Sequence, residues 1–220
     1  METKSQIEKY RKTLIESELV TEILRCLHGL EFDCIRCLAL GSPSESLAAQ
    51  YQLALLLILQ EHLTAKISIY DPILNEKDRE ILKDMEIEEK YDNKSNTLYF
   101  LPHAPLTLME NLLNMDHPTY LLCNDVITHT DRLTKRKLNE KYPYLSCAVY
   151  LLGDNQSKDG FTPVVNKRKN RQKFIEPEIN YPIDEIYFKH ISISRFENTK
   201  KNDAWGNSFT DLAFHRLTKK

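Results

Sequence analysis

The spacing of hydrophobic positions changes several times along the chain, and each change marks an element. Over residues 5–28, Ile7, Tyr10, Leu14, Leu19, Ile23 and Leu27 follow the three-and-four spacing of one helix face, and Gly29 suits the position just past a helix end. Ile35–Leu40 is a short continuous apolar run, as in a strand covered on both faces. Ser46–Leu63, "SLAAQYQLALLLILQEHL", is too long for a strand and too short to span a bilayer. It is apolar nearly all round, which predicts a helix buried against a sheet. Lys66–Tyr70 then reads as a strand ending at Asp71-Pro72, followed by a helix "EKDREILKDM" that Asn75 can cap. A short strand is expected near Ile87–Lys90, with a polar turn at Asp92–Asn96. Thr97–Leu101 is a strand ending at Pro102-His103, and Pro105–Met115 a helix with proline in its first turn. Tyr120–Cys123 is a strand ending at Asn124-Asp125, Asp131–Lys141 a helix, and Ser146–Leu152 the next strand.

Strands alternating with helices of this length predict βαβ units and a mostly parallel sheet with helices on both faces. The alternation stops at Gly153–Tyr181, a polar stretch containing "NKRKNRQK". Two β-like runs follow, Glu185–Ile193 and Ser208–Leu217, which read as an antiparallel pair at the sheet's edge, as in methyltransferase-like sheets. The expected fold class is therefore α/β: a three-layer, doubly wound, methyltransferase-like or Rossmann-like domain with added C-terminal antiparallel strands. One domain over 1–220 is expected, with an N-terminal helix in 1–30 and core βα units over 35–152. A flexible basic loop over 153–184 and a C-terminal β-hairpin over 185–220 complete it. The one tryptophan, in "AWGNSFTDLAFHRL", can fold this last part back onto the core.

Composition narrows the function. With 41% hydrophobic and 28% charged residues and a net charge of −2, the chain gives no reason to expect nucleic acid or a membrane surface as partner. The start, METKSQIEKYRK, has no apolar signal-peptide core, so an intracellular protein is expected, cytoplasmic with the nucleus also open to it. Cys26, Cys34, Cys37, Cys123 and Cys147 mostly sit in apolar segments and read as reduced core thiols. Cys34-x-x-Cys37 has no second pair at zinc-site spacing, and the seven histidines show no metal-binding pattern, so no metal site is expected. There is no G-x-S-x-G nucleophile motif. The run Lys167–Lys173 reads as a solvated loop.

In open α/β sheets, ligands sit outside the carboxyl ends of the strands. Four loops occupy that edge here: Gly41–Ser44, Asp71–Pro72, Pro102–His103 and Asn124–Asp125. In "CLALGSPSES", Gly41 allows a sharp turn and close approach to a ligand, while Ser42 and Ser44 offer hydroxyls beside a helix start that favours an anion. The G-x-G-x-x-G and G-K-[ST] patterns are absent, so a tight strand–helix turn with a serine cap is the competing reading. Asp71 either accepts hydrogen bonds from ribose hydroxyls or builds its own Asp-Pro turn. His103, held between two prolines, is the candidate catalytic residue, an acid, base or ligand contact near neutral pH, or else a structural histidine. Asn124 and Asp125 contact ligand or cap the turn.

Taken in order, "CLALGSPSESLAAQYQLALLLIL", "IYDPILNEKDREIL", "LYFLPHAPLTLMENLL" and "LLCNDV" resemble the sensitivity-to-red-light-reduced (SRR-like) domain family. The resemblance covers about residues 35–126, with "FTDLAFH" in addition, and the chain looks like a fungal member of the benomyl-resistance type. Ala39 stands where that family often has glycine, and Asn124-Asp125 where it often has Asn-Ser. The resemblance implies an intracellular regulatory protein, linked in various members to circadian light input, haem metabolism, or microtubule-drug sensitivity and genome stability. It implies no defined reaction. Three functions stay open: a regulatory protein holding a small-molecule ligand, with protein partners still unidentified; a transferase using S-adenosylmethionine or another nucleoside cofactor; and a haem-binding protein with a histidine or cysteine axial ligand.

Overall fold

In the computed structural model, which describes residues 2–92, 96–156, 179–197 and 204–220, seven strands form one sheet. They are β1 (Cys34–Leu38), β2 (Lys66–Tyr70), β3 (Glu86–Ile87), β4 (Thr97–Leu101), β5 (Tyr120–Asn124), β6 (Phe188–Arg195) and β7 (Leu212–Lys219). Their order is β3-β2-β1-β4-β5-β7-β6. The first five are parallel, and β7 runs antiparallel to both β5 and β6. This is the mostly parallel, doubly wound sheet expected from the alternation, with β7 inserted ahead of β6. Strand order reverses between β1 and β4, which makes their carboxyl ends the topological switch point.

One face of the sheet carries α1 (Glu2–Ile15), α2 (Glu18–Leu27) and α3 (Leu47–Leu63), whose Leu14, Leu19, Ile23, Leu53 and Leu55 share a core with Ile35, Cys37, Ile69 and Phe100. The single helix expected over 5–28 is two. Ser17 separates them: its hydroxyl donates to Leu14 O (2.6 Å) and accepts from Val20 N (3.3 Å), ending one helix while capping the next. Beyond α3, a short helix α4 (Glu76–Ile81) follows β2.

The other face carries α5 (Leu106–Met115), α6 (Val126–Thr130), α7 (Lys135–Lys141) and α8 (Pro143–Gln156). The strand expected at Ser146–Leu152 is wrong: these residues belong to α8. Its buried Leu145, Ala148 and Leu152 recur at helical spacing against Leu121 and Cys123. Glu110 of α5 accepts from Tyr144 N and Leu145 N, both at 2.9 Å, so a neighbouring helix satisfies the open donors of α8's first turn. The helix expected over Asp131–Lys141 begins later, at Lys135, where the Thr134 hydroxyl accepts from Lys137 N (3.3 Å).

A charged side chain lies inside the sheet. Arg36 of β1, 3% exposed, donates to Ser68 Oγ (2.6 Å), Glu88 O (2.9 Å) and Glu89 O (3.2 Å), and its guanidinium lies 5.1 Å from the Tyr91 ring centre. Residues 88–92 thus lap over β1 and β2 with a polar contact, and Arg36 and Ser68 interrupt otherwise apolar strands because that contact requires it. None of the five cysteines forms a disulfide. Cys34 and Cys37, three apart on one strand, point to opposite faces and cannot close on one ion. Among the described residues no cluster of His, Cys, Asp or Glu could hold a metal, and no helix is long and apolar enough to cross a membrane. The basic run Lys167–Lys173 and residues 93–95 of the polar turn lie outside the described residues.

The tertiary cap on α8 is testable. Glu110→Ala leaves one buried and one part-buried N–H group without acceptors and should cost about 1–3 kcal/mol in urea unfolding, with Glu110→Gln costing less. An unchanged urea midpoint for Glu110→Ala would show that the cap contributes nothing.

Candidate functional site

The turn after β1 is made by two residues in the left-handed region, Ala39 (φ 56) and Gly41 (φ 82). An L-residue pays roughly 1–2 kcal/mol for that conformation, which explains why glycine suits position 39 as well. At Gly41 a Cβ would also lie 3.2 Å from the Ala49 side chain. Gly41 N donates to Asp71 Oδ2 (2.8 Å), and Asp71 Oδ1 accepts from Ile73 N (3.1 Å). Ser44 N donates to Asp78 Oδ1 (2.8 Å), while Asp78 Oδ2 accepts from Asn75 N (3.0 Å). Asn75 Oδ1 in turn accepts from Asp78 N (3.0 Å), completing a capping box on α4. The Ser42 and Ser44 hydroxyls lie 3.2 Å apart, and Asn75 Nδ2 donates to Ser44 Oγ at 3.2 Å. Gly41, Ser42, Ser44 and Asp71 are thus brought together, along with Asp78, a carboxylate that the sequence reading placed in a helix and did not connect to this turn.

Asp78 is fully buried. Burial alone would raise its pKa, but the N–H groups of Ser44 and Asn75 and the hydroxyls of Ser42 and Ser44 outweigh it and hold the carboxyl below its ordinary value. The charge balance at this turn is therefore negative. A helix start attracts an anion by about 0.3–1 kcal/mol. The two carboxylates bonded into the turn work against that attraction.

The remaining candidates gather around residues 204–211, which cross the carboxyl edge ahead of β7. Gln52 Nε2 of α3 donates to Ser208 O (2.9 Å), Asn124 Nδ2 to Thr210 O (3.4 Å), and Asp125 N to Asp211 O (2.6 Å). Asp125 caps α6 through Ile127 N (2.9 Å) and also accepts from Arg195 Nε of β6 (2.6 Å). Burial pushes its pKa up, yet the Arg195 guanidinium and the Ile127 N–H hold it below the ordinary value. His215 of β7 lies underneath, with Nε2 accepting from Val126 N (3.4 Å) and Nδ1 3.5 Å from Cys123 Sγ. Burial lowers its pKa to about 4, so it is a neutral structural imidazole. These contacts give Asp125 a structural role that it fills completely.

His103 remains exposed at the end of β4, on a turn fixed by His129 Nε2 donating to Ala104 O (3.0 Å). Burial of part of its ring lowers its pKa and His129 adds to that, while the Asn207 backbone and Asp211 act in the other direction. It borders an open depression of about 570 Å3, with Leu47, Ala48, Trp205, Asn207 and Thr210 among the other residues around it. Leu47 and Ala48 follow β1 and His103 follows β4, so this depression sits at the switch point. Gly41, Ser42, Ser44, Asp71, Asn124 and Asp125 do not line it; Asn124 approaches it through Thr210. Trp205 Nε1 and Asn124 Oδ1, both inaccessible to solvent, have no hydrogen-bond partner among the described residues. Both residues are 5% exposed.

The family model of the SRR1 domain matches residues 12–216. An SRR1-like protein of Drosophila melanogaster is 31% identical over 87 residues, covering 36% of this chain and 32% of that protein. The match thus spans about a third of the relative's length. No solved structure matches the chain.

The locked turn has a pH signature. Asp78 and Asp125 titrate below their ordinary value, so the stability they contribute is complete above the unfolded value of about 4 and is lost as pH falls through their folded values. Asp78→Asn should cost roughly 1–3 kcal/mol at pH 7. Its stability gap to the parent protein should close as pH drops from about 5 to 2. A gap that stays constant over that range would exclude an ionised Asp78 in the folded state.

Proposed function

This chain belongs to the SRR1 domain family, and from that premise we propose that it is a cytoplasmic or nuclear regulatory protein controlled by a small molecule held at the β1/β4 switch point. The observation that carries the reading is the open depression of about 570 Å3 at the carboxyl ends of β1 and β4, bordered by Trp205, His103, Leu47 and Ala48. Leu47 and Ala48 add apolar surface and His103 a second ring. This lining of apolar side chains and two rings suits a planar heteroaromatic group, as in a nucleoside or S-adenosylmethionine. Among the described residues His103 is the one titratable side chain in the lining, which supports binding over acid–base chemistry. The methyltransferase-like sheet supports, as second reading, transfer from S-adenosylmethionine. Circadian, haem-linked or microtubule-related control is the setting that the family resemblance implies for such a switch.

Trp205 is the chain's one tryptophan, so its fluorescence reports directly on the depression. Adenosine or S-adenosylmethionine should shift Trp205 emission and raise the melting temperature by mass action. His103→Ala should weaken that binding at least tenfold while leaving the unliganded melting temperature within a few degrees. The imidazole is neutral at pH 7, since its pKa lies below the ordinary 6.5. Affinity should accordingly stay level from about pH 8 to 7 and fall only at pH values below the ordinary histidine value of about 6.5, as the ring protonates. Haem, followed by its visible absorption, is the third probe. If adenosine, S-adenosylmethionine and haem all leave both readouts unchanged, the proposal fails.

A further inference from the structure

We propose that the outer edge of β6 takes an extended, acidic segment of a partner protein as an added strand of the sheet. Docking there is separate from any ligand at the switch point. The sheet ends in β3 on one side and in β6 on the other. β3 has only two residues, so its edge offers almost no ladder. β6 has eight, and its one irregularity, a register shift between Phe188 and His190, lies at its start. From His190 to Arg195 its pairing with β7 is regular, which gives a continuous edge about 20 Å long at roughly 3.4 Å per residue.

Two bonds near the end of β7 fix which backbone groups of β6 face outward. Leu217 N donates to Thr119 O beside β5 (2.8 Å), and Lys220 N to Tyr187 O beside β6 (3.0 Å). Alternation along β7 then turns the backbone groups of Phe214 and Arg216 toward β6, where they meet Ser194 and Ser192. The N–H and C=O groups of Ile191, Ile193 and Arg195 therefore point away from β7. Among the described residues none bonds to them.

The side chains along this edge set the partner's chemistry. Ile191 and Ile193 belong to the core beneath α8, whereas His190, Ser192 and Ser194 are exposed on the opposite face, beside Arg216 and Thr218. β6 and β7 together hold four Lys or Arg residues and no Asp or Glu, in a chain of net charge −2. Arg195 is engaged by Asp125, while Lys189, Arg216 and Lys219 are exposed. Asp184 and Glu185 precede β6 and Glu197 follows it, so the positive charge is centred on the strands themselves. An incoming strand that alternates acidic and apolar residues matches both faces: its apolar side chains extend the Ile191–Ile193 row, and its acids lie toward His190 and Arg216. A second copy of β6 would instead set one basic hairpin against another.

The test follows single amides of the full chain by hydrogen exchange, with and without an octapeptide of alternating Glu and Val. Without peptide, Ile191, Ile193 and Arg195 should exchange faster than His190, Ser192 and Ser194, whose N–H groups face β7. The peptide should slow the first set selectively and bind more weakly as salt rises. Lys189→Glu or Arg216→Glu should weaken it by about threefold or more. A Lys-Val octapeptide should not bind, having the wrong charge, nor should the Glu-Val peptide with proline at its centre, which cannot complete the ladder. If the outward amides are already protected in the peptide-free monomer, the chain covers its own edge and the proposal is overturned. Protection that appears only with rising protein concentration assigns the edge to a second copy and overturns it too. So does a Glu-Val peptide that leaves these amides unchanged, or equal binding by the Lys-Val peptide or a thymidine oligonucleotide. These comparisons use the unaltered protein and stand even if a charge variant fails to fold.

Discussion

The hydrogen bond from Gly41 N to the Asp71 carboxylate joins two strand ends that the parallel sheet merely sets side by side. Around it the carboxyl edge takes its shape. Ala39 and Gly41 turn the chain through left-handed conformations. Asp71 and Asp78 then fix that turn to the segment after β2, and Ser46 starts α3 at a defined point. The strained backbone is affordable because two charge-assisted bonds of 2.8 Å over-determine it. The same bonds that make the turn rigid also engage two of its N–H groups, Gly41 and Ser44.

The other half of the edge is closed differently. β7 pairs with β5 rather than standing outside it, and the residues ahead of β7 must cross the ends of β1, β4 and β5 to arrive there. Phe209 and Trp205 anchor this crossing in the core shared with α3, and Gln52, Asn124 and Asp125 bond its backbone. Between the crossing and the start of α3 an open depression remains at the switch point, with His103 beside it. The contrast with Asp125 and His215, each fully engaged by neighbours, separates the binding candidate from the architecture.

Much of this was legible in the sequence. Lys66–Tyr70 and Thr97–Leu101 fall where the apolar runs placed them, and α3 begins right after Ser46, because strands buried on both faces and a helix apolar all round leave few alternatives. The four strand-end loops do share one edge, as parallel strands require. Three things were not legible. "SCAVYLL" is short and apolar, a pattern common to buried strands and buried helices, and the deciding contact is Glu110, more than thirty residues away in sequence. Asp78 read as an ordinary helix residue because its partner Ser44 lies on another loop. The depression's borders come from three separated segments, so no local motif announced it, although the lone tryptophan was correctly read as folding the C-terminal part onto the core.

The central claim is that Asp71 and Asp78 lock two donors of the first turn inward, and amide hydrogen exchange at Gly41 and Ser44 tests it most directly. Amides bonded to buried carboxylates open only with the surrounding structure, so both should be protected to the same degree as the amides of β1. Exchange at Gly41 and Ser44 as fast as at unbonded loop amides would contradict the account, since it would leave both donors free for an anionic ligand.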